Sequence, residues 1–172
     1  MAGLAHLVSR FVGSLRPGGP PPADEAWVAS VLQPAELALW RRMSGADRRH
    51  AVGVARRVDA ALGEAASRPV LAAALLHDVG KVESGLGTYG RVVATVSAAV
   101  AGRATATQWQ RGRGFTRRVG LYLNHPTIGG DLLAMAGSDP LTVAWAREHH
   151  LPPDRWSVPR PVADALKAAD DD

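Results

Sequence analysis

The sequence predicts an all-α fold, built as one compact helical bundle. Three observations carry that expectation. Apolar residues recur at helical spacing, as at His50, Val54, Val58 and Ala61 along one segment. The strict apolar–polar alternation of a half-buried strand is absent. Prolines stand where helices open, at Pro34, Pro69 and Pro140, positions where a missing N–H is tolerated.

The chain has 172 residues, enough for one domain with a proper core. The first fifteen residues, MAGLAHLVSRFVGSL, are mildly amphipathic, and His6, Ser9 and Arg10 interrupt any signal-peptide core. Proline and glycine in RPGGPPPA, residues 16 to 23, cannot hold a helix. Residues 1–23 are therefore read as leader and linker, and 24–172 as the helical domain.

Taken in order, Trp27 to Leu32 reads as a short helix, and Pro34 opens a second that Gly45 ends. Asp47 is the expected N-cap of a long helix to Leu62, stopped by Gly63. Its apolar stripe carries His50, while Arg48, Arg49, Arg56 and Arg57 form an arginine-rich face. Ser67-Arg68-Pro69 starts the central helix, whose uncharged run Leu71–Leu76 leads straight into His77-Asp78. A glycine-rich turn, Ser84 to Gly90, precedes a small-residue helix from Arg91 to Ala101. After an arginine-rich segment from Gly102 to Arg118, a helix from Phe115 reaches Asn124. His125-Pro126 starts another, and Asp139-Pro140 caps the next, which carries Trp145 and His149. The last helix starts near Arg160 and sets Ala163, Leu166 and Asp170 on one face.

Composition narrows the function. There is no cysteine, which excludes disulfides and thiolate metal sites and fits a reducing, cytoplasmic location. The run Val92 to Gly102 is too short to span a bilayer. A net charge of +4 is too small to argue for DNA or RNA. Nearly all basic residues are arginine, a side chain suited to phosphate; Arg147, Arg155 and Arg160 lie near His149 in sequence. The more ordinary expectation for these three is a solvated surface, and for Trp40, Trp109, Trp145 and Trp156 a place in the core or as loop anchors.

Five of the six histidines fall where a helix face turns inward or a helix ends: His50, His77, His125, His149 and His150. A histidine and carboxylate closing an apolar run are costly to bury unless both are satisfied, and a metal ion satisfies both. Helical bundles build such carboxylate–histidine sites between facing helices. The competing expectation is a solvated His77-Asp78 pair at a helix end. Asp78, and Asp170 on the inner face of the last helix, join the five histidines as candidate ligands. Asp171 and Asp172 are possible substitutes for Asp170, and Asp164 lies off that face.

In this order the motifs resemble the HD-domain superfamily of metal-dependent phosphohydrolases. HDVGK at His77–Lys81 is similar to its HD-x-G-K signature, and HPTIGGDLL at His125–Leu133 to a segment of the HD-GYP subgroup. His149-His150 is similar to that subgroup's paired histidines. The resemblance covers residues 46 to 172. It implies that His50, His77, Asp78 and Asp170 hold one divalent metal, and that Asp78 bridges to a second held by His125, His149 and His150. Imidazole–carboxylate sites suit iron, manganese, zinc or nickel, with iron or manganese the expected choice; the resemblance implies Asp78 and Lys81 as catalytic residues, and Lys81 would steady a phosphate. The implied reaction is hydrolysis of a phosphomonoester or phosphodiester, a nucleotide for preference, by metal-activated hydroxide. HHLPPDRWSVPRP lacks the subgroup's Gly-Tyr-Pro, so the resemblance stops short of cyclic di-GMP as substrate. Two alternatives share the motifs: a di-iron oxygenase resembling inositol oxygenase, and a non-catalytic regulatory module.

Overall fold

The computed structural model of the chain describes residues 18–101 and 108–171. The leader with His6, part of the arginine-rich segment and Asp172 lie outside the described residues.

Helix α1 (Pro22–Val31) begins inside the stretch expected to be linker. Pro22 takes the first helical position, so the proline-rich run ends as a helix start. Helix α2 (Pro34–Arg42) is closed at its start by Glu36, which accepts from the Gln33 N–H at 2.9 Å.

Helix α3 (Gly45–Leu62) corrects two expectations. Gly45 opens this helix rather than ending the one before, and Ser44, not Asp47, caps it by accepting from the Asp47 N–H. A Cβ on residue 45 would stand 2.1 Å from the Gly18 carbonyl oxygen, which is why a glycine occupies the entry. Gly63, at φ +53°, stops the helix as expected. Val54 and Val58 are buried, whereas Ala61 is exposed. The arginine face is not simply solvated. Arg48 donates to Glu25 at 2.7 Å, and Arg56 pairs with Asp24 and lies 3.7 Å over the Trp27 ring. These arginines fasten α1, whose first turn is acidic, along the flank of α3.

Helix α4 (Arg68–Leu76) is the centre of the bundle. Ala72 to Leu76 are fully buried. An all-apolar short helix can be stable only with neighbours on every side, and α1, α2, α3 and a later helix, α8 (Pro140–Glu148), all pack against it. Full burial of Leu75 and Leu76 stabilises the fold by about 1.5–3 kcal/mol each. Trp40 and Trp145 fill the same core, as expected of two of the tryptophans.

Past α4 the chain tightens into a 3-10 turn, Val79–Ser84. Helix α5 (Thr88–Ala101) starts three residues before the expected Arg91. It packs on α6 (Gly114–Leu123) around Leu86, Ala94 and Val119, a small core separate from the main one. Helix α7 (His125–Met135) follows α6 through Asn124 alone, and α8 returns antiparallel along α7. Helix α9 (Arg160–Asp171) closes the bundle against α3, with Ala163, Leu166 and Ala169 buried. Among the described residues there is no strand, so the all-α expectation holds. No helix among them is long and apolar enough to cross a membrane.

Candidate metal centre

The centre is assembled where α4 ends. His77 still has helical dihedrals, while Asp78, at φ −98° and ψ 6°, leaves the helix. Both side chains are buried, at 2% and 5% exposure, which excludes the solvated His-Asp pair. His77 Nδ1 lies 2.9 Å from the Ala74 carbonyl oxygen. A carbonyl can only accept, so Nδ1 carries the proton and Nε2 presents its lone pair to the interior.

The same arrangement occurs twice more. His125 Nδ1 meets the Tyr122 carbonyl at 2.7 Å, and His149 Nδ1 meets the Ala146 carbonyl at 3.0 Å. In all three histidines Nε2 is buried and without a hydrogen-bond partner. Three buried lone pairs with nothing to accept from are costly, and they are aimed at one place. Asp78 Oδ2 lies 3.5 Å from His77 Nε2, and Asp78 Oδ1 lies 3.2 Å from His125 Nε2 and 3.9 Å from His149 Nε2. The two oxygens of one carboxylate thus address different histidines.

Glycines bring these elements together. A Cβ on residue 80 would fall 2.0 Å from the His125 carbonyl oxygen and 2.6 Å from the Gly129 nitrogen. The 3-10 turn therefore touches the first turn of α7 backbone to backbone, and His125 is set beside Asp78. His149 and His150 follow the last residue of α8. Their rings stand 4.0 Å apart, with His150 exposed and 5.2 Å from the His125 ring. On the other side, His50 Nε2 lies 2.8 Å from Asp170 Oδ1, which is 3.6 Å from His77 Nε2. The ligand atoms of His50, His77 and Asp78 lie within 4.8 Å of one another, as do those of His125, His149 and His150.

These residues fit metal ions. Nitrogen and oxygen ligands held about 2.0–2.2 Å from one divalent ion stand roughly 3–3.5 Å apart, close to the separations around Asp78. Imidazoles oriented through Nδ1 by main-chain carbonyls have the outer-shell support typical of metal-binding histidines. Two groups here could hold a metal ion, His50, His77 and Asp78 on one side and His125, His149 and His150 on the other.

Electrostatics follow from packing acids and bases without water. Burial alone would raise the Asp78 carboxyl, but Lys81 and then His77 hold it well below its ordinary range. Burial likewise opposes ionisation of Asp170, and its bond to His50 and the nearby His77 imidazole reverse that and lower it. For His77 the carboxylates of Asp78 and Asp170 outweigh burial and raise its pKa. His149 is lowered well below 6.5 by burial, and His77 and His150 push it further.

The signs give a prediction for the metal-free chain. Stability from the two lowered carboxyls is complete above 3.8 and lost as pH falls through their folded values. His77 contributes fully below 6.5 and loses its contribution as pH rises through its raised value. His149, buried neutral, destabilises increasingly as pH falls below 6.5. Urea midpoints measured in chelator from pH 5 to 8 should therefore peak near about 6.5. A midpoint still climbing at pH 8 would mean that His77 gains no second proton, at Nε2, in the metal-free cluster.

Lys81 is not a surface lysine: its ammonium contacts Asp78 Oδ2, and its side chain is only 15% exposed. Burial would lower its pKa, yet Asp78 first and then Tyr122 and Asp47 raise it, so the ammonium keeps its charge. Asp171 turns outward to Lys167 at 2.6 Å and Asp164 to Arg160 at 2.8 Å, leaving Asp170 as the inward carboxylate of α9. Arg147 pairs with Asp131, Arg160 also lies over the Trp156 ring, and Arg155 is exposed. None of the three joins the cluster.

Tyr122 is a residue that sequence spacing does not reveal. Its carbonyl orients His125, and its ring lies 5.8 Å from the His125 ring and 5.9 Å from Lys81 Nζ. Asp47 is another: it is buried, and it acts on Lys81 across the gap between α3 and the 3-10 turn. No protein-family model matches the chain, and no curated protein or solved structure shows a significant match to it. The functional reading accordingly rests on motif order and on the geometry of the cluster.

Proposed function

We propose that this chain is a metal-dependent phosphohydrolase of the HD-domain type, acting on a phosphomonoester or phosphodiester, with a nucleotide as the expected class. The observation that carries the reading is the convergence of three buried, unpartnered imidazole Nε2 atoms on the two oxygens of Asp78. This set suits two divalent ions sharing Asp78, with iron or manganese as the expected pair. Such a pair, when bound, polarises a phosphoryl oxygen and lowers the pKa of a coordinated water.

The chain's own residues supply the rest. Asp78 spans the two clusters and fixes their separation. The carbonyls of Ala74, Tyr122 and Ala146 hold the imidazole protons at Nδ1, so that Nε2 stays available. Lys81 keeps a permanent ammonium at the edge of the site, beside Tyr122, where it can take a phosphoryl oxygen as negative charge develops. His150 is exposed, so a substrate would approach from its side of the cluster. A cytoplasmic location belongs to the same reading and rests on composition.

The test is metal content after reconstitution with iron or manganese, followed by parallel assays for phosphoester hydrolysis and oxygen uptake. About two metals per chain with phosphate or phosphomonoester release supports the proposal. Oxygen uptake without hydrolysis transfers the site to the di-iron oxygenase reading. Less than one metal per chain with no turnover leaves a regulatory module.

A further inference from the structure

Arg57 belongs by sequence to the arginine-rich face of α3, yet it does not serve the surface. It is half-buried, and its Nε and one terminal nitrogen donate to the Ala169 carbonyl oxygen at 3.0 and 2.7 Å. Ala169 lies in the last turn of α9, where main-chain carbonyls have no N–H of their own helix to accept from. The guanidinium supplies both donors from another helix, 112 residues away in sequence. The next residue is Asp170, whose Oδ1 lies 2.8 Å from His50 Nε2. His50 and Arg57 are seven residues apart on α3, two turns along one face, so the same face holds both the carboxylate and the main chain that carries it.

From this geometry we propose that Arg57 is a positioning residue for one metal position only, the one formed by His50, His77, Asp78 and Asp170. It latches the end of α9 to α3 and sets the reach of Asp170. The position formed by His125, His149 and His150 is built on α7 and α8 and does not use the latch. The inference rests on the metal-site reading above and adds that the two positions depend on different parts of the fold.

The test is Mn(II) titration of the full chain, read by binding isotherm and electron paramagnetic resonance. Wild type is expected to take two ions with a spin-coupled signal. Arg57→Ala is expected to weaken one ion by about 10–100-fold, the usual effect of losing an outer-shell partner, and to leave a single, uncoupled Mn(II) at intermediate concentration. Arg57→Lys, which keeps one donor, should recover part of the lost affinity and provides the readout should the alanine variant not fold. Asp170→Asn should give the same uncoupled signal. Two ions bound by either Arg57 variant with wild-type affinity, or both ions weakened alike, would overturn the latch. A wild type that takes no Mn(II) overturns both the latch and the metal-site reading.

Discussion

Replacing Asp78 with alanine is expected to remove both metals of the proposed centre at once, from about two per chain to almost none, because its two oxygens face different histidines. The proposed hydrolysis should fall by more than the ~10–100-fold typical of losing an outer-shell partner. Stability should fall as well. Lys81 and His77 lose a buried counter-charge, and breaking a buried pair by removing one partner costs about 3–5 kcal/mol. Lys81 retains some access to water, which places the effect at the lower end.

The double variant Asp78→Ala, Lys81→Met separates the two roles. Removing both charges together should restore much of the stability and none of the metal binding. Metal analysis and urea melts on the two variants check this. A single variant that still binds one ion tightly would show that the clusters do not share Asp78. A double variant no more stable than the single would show that the Lys81 contact carries little.

Gly80→Ala is the second large effect. Its Cβ meets main-chain atoms of His125 and Gly129, which cannot rotate away as a side chain would. The 3-10 turn and α7 must move apart, a forced overpacking that costs about 1–3 kcal/mol or more. The displacement also carries His125 away from Asp78, 3.2 Å off in the native arrangement. Weakened binding of the metal on the His125 side is therefore expected along with the lower melting temperature. Gly129→Ala is the graded control. Its Cβ would lie 3.1 Å from the Gly80 nitrogen, a milder conflict, and its loss should be smaller. Wild-type melting of Gly80→Ala would mean that the close approach is not required.

Much of the candidate centre was legible because the candidate ligands follow local spacing. His50 shares a helical stripe with Val54 and Val58, His77-Asp78 closes an apolar run, and Asp170 follows Ala163 and Leu166 on one face. Periodicity tells which side of a helix is buried, and each of these ligands lies on such a side. Helix ends were less legible. Gly45 reads as a stop and acts as a start, because the reason for a glycine there is the Gly18 carbonyl beside it. Arg57 reads as surface because a long side chain leaves a polar face and reaches a carbonyl on another helix.

The sequence by itself determined that the chain is helical, where most helices lie, and which side chains are offered for metal binding. Those properties are set by neighbours three to four residues apart, and the chain states them directly. Only the tertiary structure decided the distances among these groups and what supports them. It placed His77 against Asp78 Oδ2 and His125 and His149 against Oδ1, turned Asp171 and Asp164 outward, and enlisted Arg57, Tyr122 and Gly80 as supports. The physical reason is reach. These relations join α3 to α9, α4 to α8 and the 3-10 turn to α7, and their distances are set by packing between elements far apart in the chain.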